Sequence, residues 1–189
     1  MDDPHSINWR QILLFGGGVA AGILAGRFLL PVLAGASSAA SAASGDVFED
    51  LAADHHAILD LLDEMEATGT SLLAKRIKLY AELKRDLGRH ALAEEGVVYP
   101  LLRQRAGREE AARALFAEHA EMKMAVAELE EMVPEPQLWS ERVRALRELI
   151  AHHAFQEENV EFPALRAALD QQNRVMVSGK VSREKALLT

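Results

Sequence analysis

Two short stretches of the chain place a histidine and a glutamate four residues apart, a spacing that suits a metal ion. The first stretch, HALAEEGVVYP, begins at His90, and the second, HAFQEENVEFP, begins at His153. Residues four apart lie on the same face of an α-helix, so His90 and Glu94 point the same way, as do His153 and Glu157. An imidazole and a carboxylate on one helix face form a pair of metal ligands, and the sequence contains two such pairs.

Two further histidines lie at core positions of neighbouring predicted helices. His55 and His119 each fall on an apolar stripe whose members are spaced by three and four residues. One inward histidine is more often a hydrogen-bonded core residue than a ligand. An inward carboxylate is rarer, because burying it without a partner costs several kcal/mol. A bound cation removes that cost, so the sequence predicts one metal site with these ligands: His55, His90, Glu94, His119, His153 and Glu157.

Several residues close to these candidates have a structural interpretation. His56 and His152 fall outside the inward stripe, which predicts surface positions or indirect contact with the ligands. The same interpretation applies to Glu95 and Glu158, with direct ligation as an open alternative. Tyr99 and Phe162 are predicted to pack against neighbouring helices. Tyr80 is predicted to lie in the core, with a contact to the pocket as the alternative.

The types of ligand restrict the choice of metal. The chain has no cysteine, which excludes disulfides, thiolate zinc sites and cysteine nucleophiles. Histidine with carboxylate suits iron or manganese, and zinc is possible in a structural role. Two glutamates that can bridge favour two ions. Four histidines and two glutamates leave coordination positions open, so water, hydroxide, dioxygen or another small ligand could bind.

Four amphipathic helices carry these residues. We predict them at about residues 46–67, 71–105, 108–132 and 137–170, joined by short breaks. This pattern predicts an all-α fold, an up-down-up-down four-helix bundle. The bundle is also an internal duplication. The first half contains His55, His90, Glu94 and Pro100, and the second half repeats them, at nearly the same spacing, as His119, His153, Glu157 and Pro163.

Some details of the helices are predicted from their stripes and prolines. The inward stripe of the second helix begins with Leu73 and Ile77, and that of the fourth helix reaches Val160. Pro100 and Pro163 are predicted to kink their helices or to end the regular part. Residues 171–189 are predicted to form a short extra helix or to fray, with no chemistry of their own.

The amino-terminal residues 1–36 form a hydrophobic segment. Residues 12–34 are apolar except for Arg27, long enough to cross a bilayer as a helix, and Gly18, Gly22 and Gly26 repeat every four residues. This pattern favours a membrane anchor, with association of copies through the glycines. A cleaved signal peptide, an interfacial helix and a hydrophobic hairpin within an oligomer are the alternatives. Residues 37–45 are predicted to be a flexible linker.

The charge of the chain restricts its partners. The formal net charge is −8, and no cluster of lysine and arginine stands out. A nucleic-acid partner is therefore not expected, because such proteins neutralise phosphates with basic patches. The single Arg10 before the apolar run of residues 12–34 leaves the orientation across a membrane nearly undecided. The localisation predicted is membrane-anchored, with a cytoplasmic protein as the alternative.

Four phrases together resemble the hemerythrin HHE cation-binding family: DHHAI from Asp54, HALAEEGVVYP from His90, EHAEM from Glu118 and HAFQEENVEFP from His153. The resemblance covers about residues 47–169. It implies a four-helix bundle with a carboxylate-bridged non-haem di-iron centre. It also implies that the four histidines are iron ligands and the two glutamates are bridges, at these positions: His55, His90, His119, His153, Glu94 and Glu157.

The sequence departs from the oxygen-carrying members at two places. They have an additional histidine where this chain has Lys123, and an aspartate five residues after the last histidine where this chain has Glu157 at four. Reversible oxygen carriage is therefore disfavoured. The leading hypothesis is a di-iron protein that binds or senses dioxygen or a related small ligand, or handles iron. A di-iron oxidase, peroxidase or nitric oxide-reactive enzyme and a structural membrane-anchored bundle are the alternatives, and binding is favoured over turnover.

Overall fold

The computed structural model describes residues 46–68 and 72–188, and this part of the chain is helical with no strand. Two of its long helices contain a π-helical turn, so each is divided here into two α-helices. The elements are α1 (Val47–Glu66), α2 (Leu73–Ala93), a first π turn (Glu94–Val98), α3 (Tyr99–Arg105), α4 (Glu109–Met132), α5 (Pro136–Gln156), a second π turn (Glu157–Glu161), α6 (Phe162–Ala168), α7 (Gln171–Lys185) and a final 3₁₀ turn (Ala186–Leu188).

The helices pack as the predicted four-helix bundle. Helix α1 packs against α2 and α5, and α4 packs against α3 and α5. Because α2 continues through the π turn into α3, and α5 continues into α6, each long helix has two neighbours in a ring. Helix α7 lies outside this ring and packs on α2 and the first π turn. The tail is thus an ordered helix over most of its length.

The ends of the helices follow from local chemistry. Asp46 precedes α1 and accepts a hydrogen bond from the backbone N–H of Phe48 at 2.9 Å, which satisfies one of the free donors of the first turn. Gly107 separates α3 from α4 with a φ of 66°. Glycine adopts this left-handed conformation without a steric penalty, and it allows α3 to end and the chain to reverse.

The π turns explain how the helices accommodate Pro100 and Pro163. In the first, the backbone N–H of Tyr99 donates to the carbonyl of Glu94, five residues earlier. In the second, the backbone N–H of Phe162 donates to the carbonyl of Glu157, also five residues earlier. A proline inside a helix lacks an N–H and crowds the preceding turn, and the wider turn before it supplies room. The helices therefore continue past the prolines.

The wider turns also shift the inward stripe by one residue. Val160 is 40% exposed, whereas Glu161 is 5% exposed, so the prediction that Val160 faces inward is wrong. A second correction concerns the start of α2, where Leu73 and Ile77 are both about half exposed. Arg76 is buried there instead, because its Nε donates to the carbonyl of Val133 at 2.7 Å.

Buried apolar side chains form two clusters, and the predicted ligands lie between them. In α1, Leu51 belongs to the first cluster and Ile58 to the second, with His55 between the two. Helix α4 repeats this order around His119. Buried apolar area in both clusters stabilises the bundle, and the polar residues between them occupy a separate layer at mid-bundle.

The hydrophobic segment of residues 1–36 and the linker of residues 37–45 lie outside the described residues. The predicted membrane anchor and its repeated glycines, Gly18, Gly22 and Gly26, therefore stay predictions. Within the described ranges, no helix combines the length and the hydropathy needed to span a bilayer.

Candidate metal centre

All six predicted ligands lie together in the middle layer of the bundle. Each long helix contributes one histidine, from α1, α2, α4 and α5, and each π turn begins with a glutamate. Every one of the six side chains is at most 2% exposed: His55, His90, Glu94, His119, His153 and Glu157. Burial of so many polar groups in one place requires a compensating interaction.

The four histidines form two pairs. The rings of His55 and His90 have centroids 4.5 Å apart, and those of His119 and His153 have centroids 4.7 Å apart. The first pair comes from the first half of the duplicated sequence and the second pair from the second half. The layer is therefore organised around two centres of donor nitrogens.

Each glutamate lies between the two pairs. Glu94 Oε2 is 3.0 Å from Nε2 of His90 and 3.4 Å from Nε2 of His119. Glu157 Oε2 is 3.1 Å from Nε2 of His55 and 3.3 Å from Nε2 of His153. Each carboxylate thus contacts one histidine of each pair, which is the position of a bridging ligand.

The outer nitrogens of the rings contact a second set of carboxylates. Each Nδ1 lies 2.7 to 3.2 Å from a carboxylate oxygen, in the pairs His55 with Glu158, His90 with Asp54, His119 with Glu95 and His153 with Glu118. When Nδ1–H donates to a carboxylate, the proton is held on that nitrogen and the lone pair of Nε2 faces inward. In that tautomer, all four histidines present the lone pair of Nε2 to the inside of the cluster.

Several buried atoms on the inner side of the cluster have no hydrogen-bond partner, and this shows whether a cation would suit the site. Among the described residues, five buried atoms of the cluster form no hydrogen bond of acceptable geometry: Nε2 of His55, Nε2 of His90, Oε1 of Glu94 and both carboxylate oxygens of Glu157. Ligand atoms of His55, Glu94, His153 and Glu157 all lie within 4.8 Å of one another. Buried donor atoms without partners are expected where a metal ion completes the interactions, so the residues fit a metal-binding site.

The pKa values describe how the charges balance without a cation. Burial lowers the pKa of His90, but Glu94 and Asp54 outweigh it and raise this pKa to about 9. Burial also lowers the pKa of His153, but Glu118 and Glu157 outweigh it and raise this pKa to about 10. The pKa of Glu94 stays well below its ordinary value, because the neighbouring imidazoles outweigh its burial. Protons on the histidines thus neutralise the glutamates in the positions that a cation would neutralise.

Tyr99 also reaches the centre. Its side chain is fully buried, and its hydroxyl lies 2.9 Å from Nε2 of His119 and 3.5 Å from Nε2 of His153. The same hydroxyl is 3.4 Å from Oε2 of Glu94. Its ring contacts Phe116 edge to face, so the prediction that Tyr99 packs between helices describes the ring but misses the hydroxyl.

The residues that precede or follow the six candidates in the sequence differ in their positions. His56 and His152 are exposed, as their place outside the stripe predicted. Sequence reasoning missed Asp54 and Glu118 as partners of the ligand histidines. The signal was available, because each directly precedes the isolated histidine of its half, but adjacency on one helix does not show which neighbouring helix a side chain reaches.

Lys123 does not point into the centre. It is 57% exposed and forms an ion pair with Glu95, which in turn contacts His119 Nδ1. At the position where oxygen carriers were expected to have a further histidine, this chain therefore stabilises an outer carboxylate.

Comparisons with known proteins agree with the geometry. The hemerythrin HHE cation binding domain matches residues 46–165, which is more than half of the chain. A protein named DNA nickase from Nostoc sp. is 31% identical over 113 residues, which are 60% of this chain and 31% of that protein. The chain thus spans about a third of the length of this curated relative. The match of the domain over residues 46–165 shows that the chain belongs to the hemerythrin HHE cation-binding family.

Proposed function

We propose that the chain is a non-haem di-iron protein that binds or senses dioxygen or a related small ligand, or handles iron. The observation that carries this proposal is the position of the two glutamates. Glu94 and Glu157 each contact one histidine of both pairs. Two cations close together need anionic bridges between them, and the contacts of these carboxylates with both pairs support that role.

The donor set supports iron. Four imidazole nitrogens and two carboxylates, with no thiolate in the chain, suit iron or manganese better than soft metals. Iron bound here would supply a redox-active centre with positions open to a small ligand. The residues of the chain bind and orient it: four outer carboxylates fix the imidazoles, and two apolar clusters exclude bulk water from above and below.

The name of the Nostoc relative does not alter this proposal. The match covers 31% of that protein, so an activity of the whole protein does not transfer to this chain. The formal net charge of −8 also disfavours a general affinity for nucleic acid.

Metal loading tests the proposal. The chain is loaded with ferrous iron without oxygen, and its metal content and optical spectrum are measured before and after exposure to oxygen. We expect about two irons per chain and a spectrum that changes with oxygen. A His90→Ala, His153→Ala double variant should lose the iron, whereas a His56→Ala, His152→Ala double variant should retain it, because those neighbours are exposed. Zinc alone, or no metal, would overturn the proposal.

A further inference from the structure

The hydroxyl of Tyr99 lies among the inner atoms of one histidine pair only. It is within 3.5 Å of Nε2 of both His119 and His153, and those two nitrogens are 3.2 Å apart. Oε2 of Glu94 is 3.4 Å from the same hydroxyl. Four potential donor atoms from four side chains thus surround one small volume.

The spacing of these atoms suits ligands of a single ion. Nitrogen and oxygen ligands lie about 2.0–2.2 Å from a divalent ion, so neighbouring ligands of one ion are roughly 3.0–3.5 Å apart. The distances from the Tyr99 hydroxyl to His119, His153 and Glu94 all fall close to this range. A tyrosine that served packing alone would not need its hydroxyl buried against three polar atoms of the centre.

The two halves of the chain differ at this position. Tyr99 follows Glu94 by five residues, and Phe162 follows Glu157 by five residues, so the duplication equates them. Both rings are buried, but Phe162 has no hydroxyl. Its ring instead stacks on His55, with centroids 6.1 Å apart. The His119 and His153 pair therefore has an oxygen donor that the other pair lacks.

We propose that Tyr99 is a direct ligand to the metal ion held by His119 and His153. This inference rests on the proposed function, because it requires an ion at that pair. The phenol loses its proton to water when its oxygen binds. Lys123 contacts Glu95 rather than the centre, so the hydroxyl of Tyr99 supplies the additional donor for this pair.

The proposal makes the two ions chemically different. The ion at His119 and His153 gains a hard anionic oxygen, which favours the ferric state. The ion at His55 and His90 has no such donor and retains more open positions. An exogenous ligand is therefore expected to bind at the His55 and His90 side.

The test uses the full chain loaded with ferric iron. A phenolate bound to ferric iron gives a visible charge-transfer band and phenolate vibrations in resonance Raman spectra excited within that band. The chain has two tyrosines, and the hydroxyl of the other, Tyr80, bonds to Val126 and Glu130. Tyr99→Phe should bind iron and lose the band, whereas Tyr80→Phe should keep it.

The outcomes separate this inference from the proposed function. A wild-type chain that binds no iron overturns the proposed function. A wild-type chain that binds iron but shows no phenolate vibrations overturns the Tyr99 ligand, whatever happens to the variants. A band that survives in Tyr99→Phe, or disappears in Tyr80→Phe, overturns it as well.

Discussion

Lys185, in the last turn of α7, forms an ion pair with Asp54, the carboxylate that contacts Nδ1 of His90. Helix α7 is also attached through Val177 and Val181, which join the first apolar cluster, and through a hydrogen bond from Nε of Arg89 to the carbonyl of Lys185. The carboxyl-terminal helix is therefore connected to the metal centre by one chain of polar contacts. Its lysine helps to fix the carboxylate that contacts His90, one of the predicted ligands.

We expect that Lys185→Met weakens metal binding. Without the ammonium group, Asp54 is less firmly placed and orients His90 less well, so the affinity should fall by about 3–10-fold, less than for loss of a direct partner of a ligand. Competition with a chelator of known affinity measures the change. Lys180→Met is the matched control, because Lys180 lies on the exposed face of the same helix. Equal affinities of the two variants would contradict the connection.

A stronger effect is expected at Glu118. Its carboxylate lies 2.7 Å from Nδ1 of His153, and Glu118→Gln removes the negative charge while keeping the shape. The metal affinity should fall by roughly 10–100-fold, because partners of ligand histidines fix the ring and raise its basicity. The same chelator competition applies. Glu121→Gln, an exposed glutamate of the same helix, should bind metal as the wild type does; an undiminished affinity of Glu118→Gln would show that His153 is oriented by packing alone.

The bundle and the six inward residues could be predicted from the sequence because both depend on one periodicity. Apolar spacings of three and four residues define the inward face of each helix, and the six polar residues occupy that face. The outer carboxylates could not be predicted in the same way. Asp54 reaches His90 on the next helix, and Glu158 returns to His55 on the first. These contacts depend on which helices lie next to each other. The apolar stripe of a single helix does not show this.

The π turns account for most of the other differences. A regular helix would place Val97 or Val98, three or four residues after Glu94, on its face. The wider turn instead brings the hydroxyl of Tyr99, five residues later, beside the carboxylate of Glu94. The proline that follows Tyr99 is a sequence signal for this turn, but by itself it predicts a kink or the end of the regular helix. Because the extra residue shifts every later position, the inward place predicted for Val160 belongs to Glu161.

Metal binding should release protons. In the ion-free chain the pKa values of His90 and His153 are about 9 and about 10, so both imidazoles are protonated at pH 7.5. A metal ligand must be neutral imidazole, so binding should release roughly two protons per chain from these histidines, and a third from Tyr99 when its phenol binds as proposed above. Calorimetric titration with metal in two buffers of different ionisation enthalpy gives this number. Release of less than one proton per chain at pH 7.5 would mean that the histidines are already neutral.

The stability of the ion-free chain should fall at alkaline pH. The pKa values of His90 and His153 are raised in the fold above about 6.5, the value in an unfolded chain. Their contribution to the free energy of unfolding is therefore complete below pH 6.5 and is lost as the pH rises through about 9 and about 10. Urea unfolding between pH 7.5 and pH 10 should show a loss of several kcal/mol in the free energy of unfolding. The metal-loaded chain should lose much less, because its imidazoles are neutral ligands throughout that range.

Two variants serve as controls for this dependence on pH. His56→Gln should leave the slope of the free energy of unfolding against pH unchanged, because this histidine is exposed, whereas His90→Gln should reduce that slope. Equal slopes with and without metal would show that the buried histidines do not carry the pH dependence.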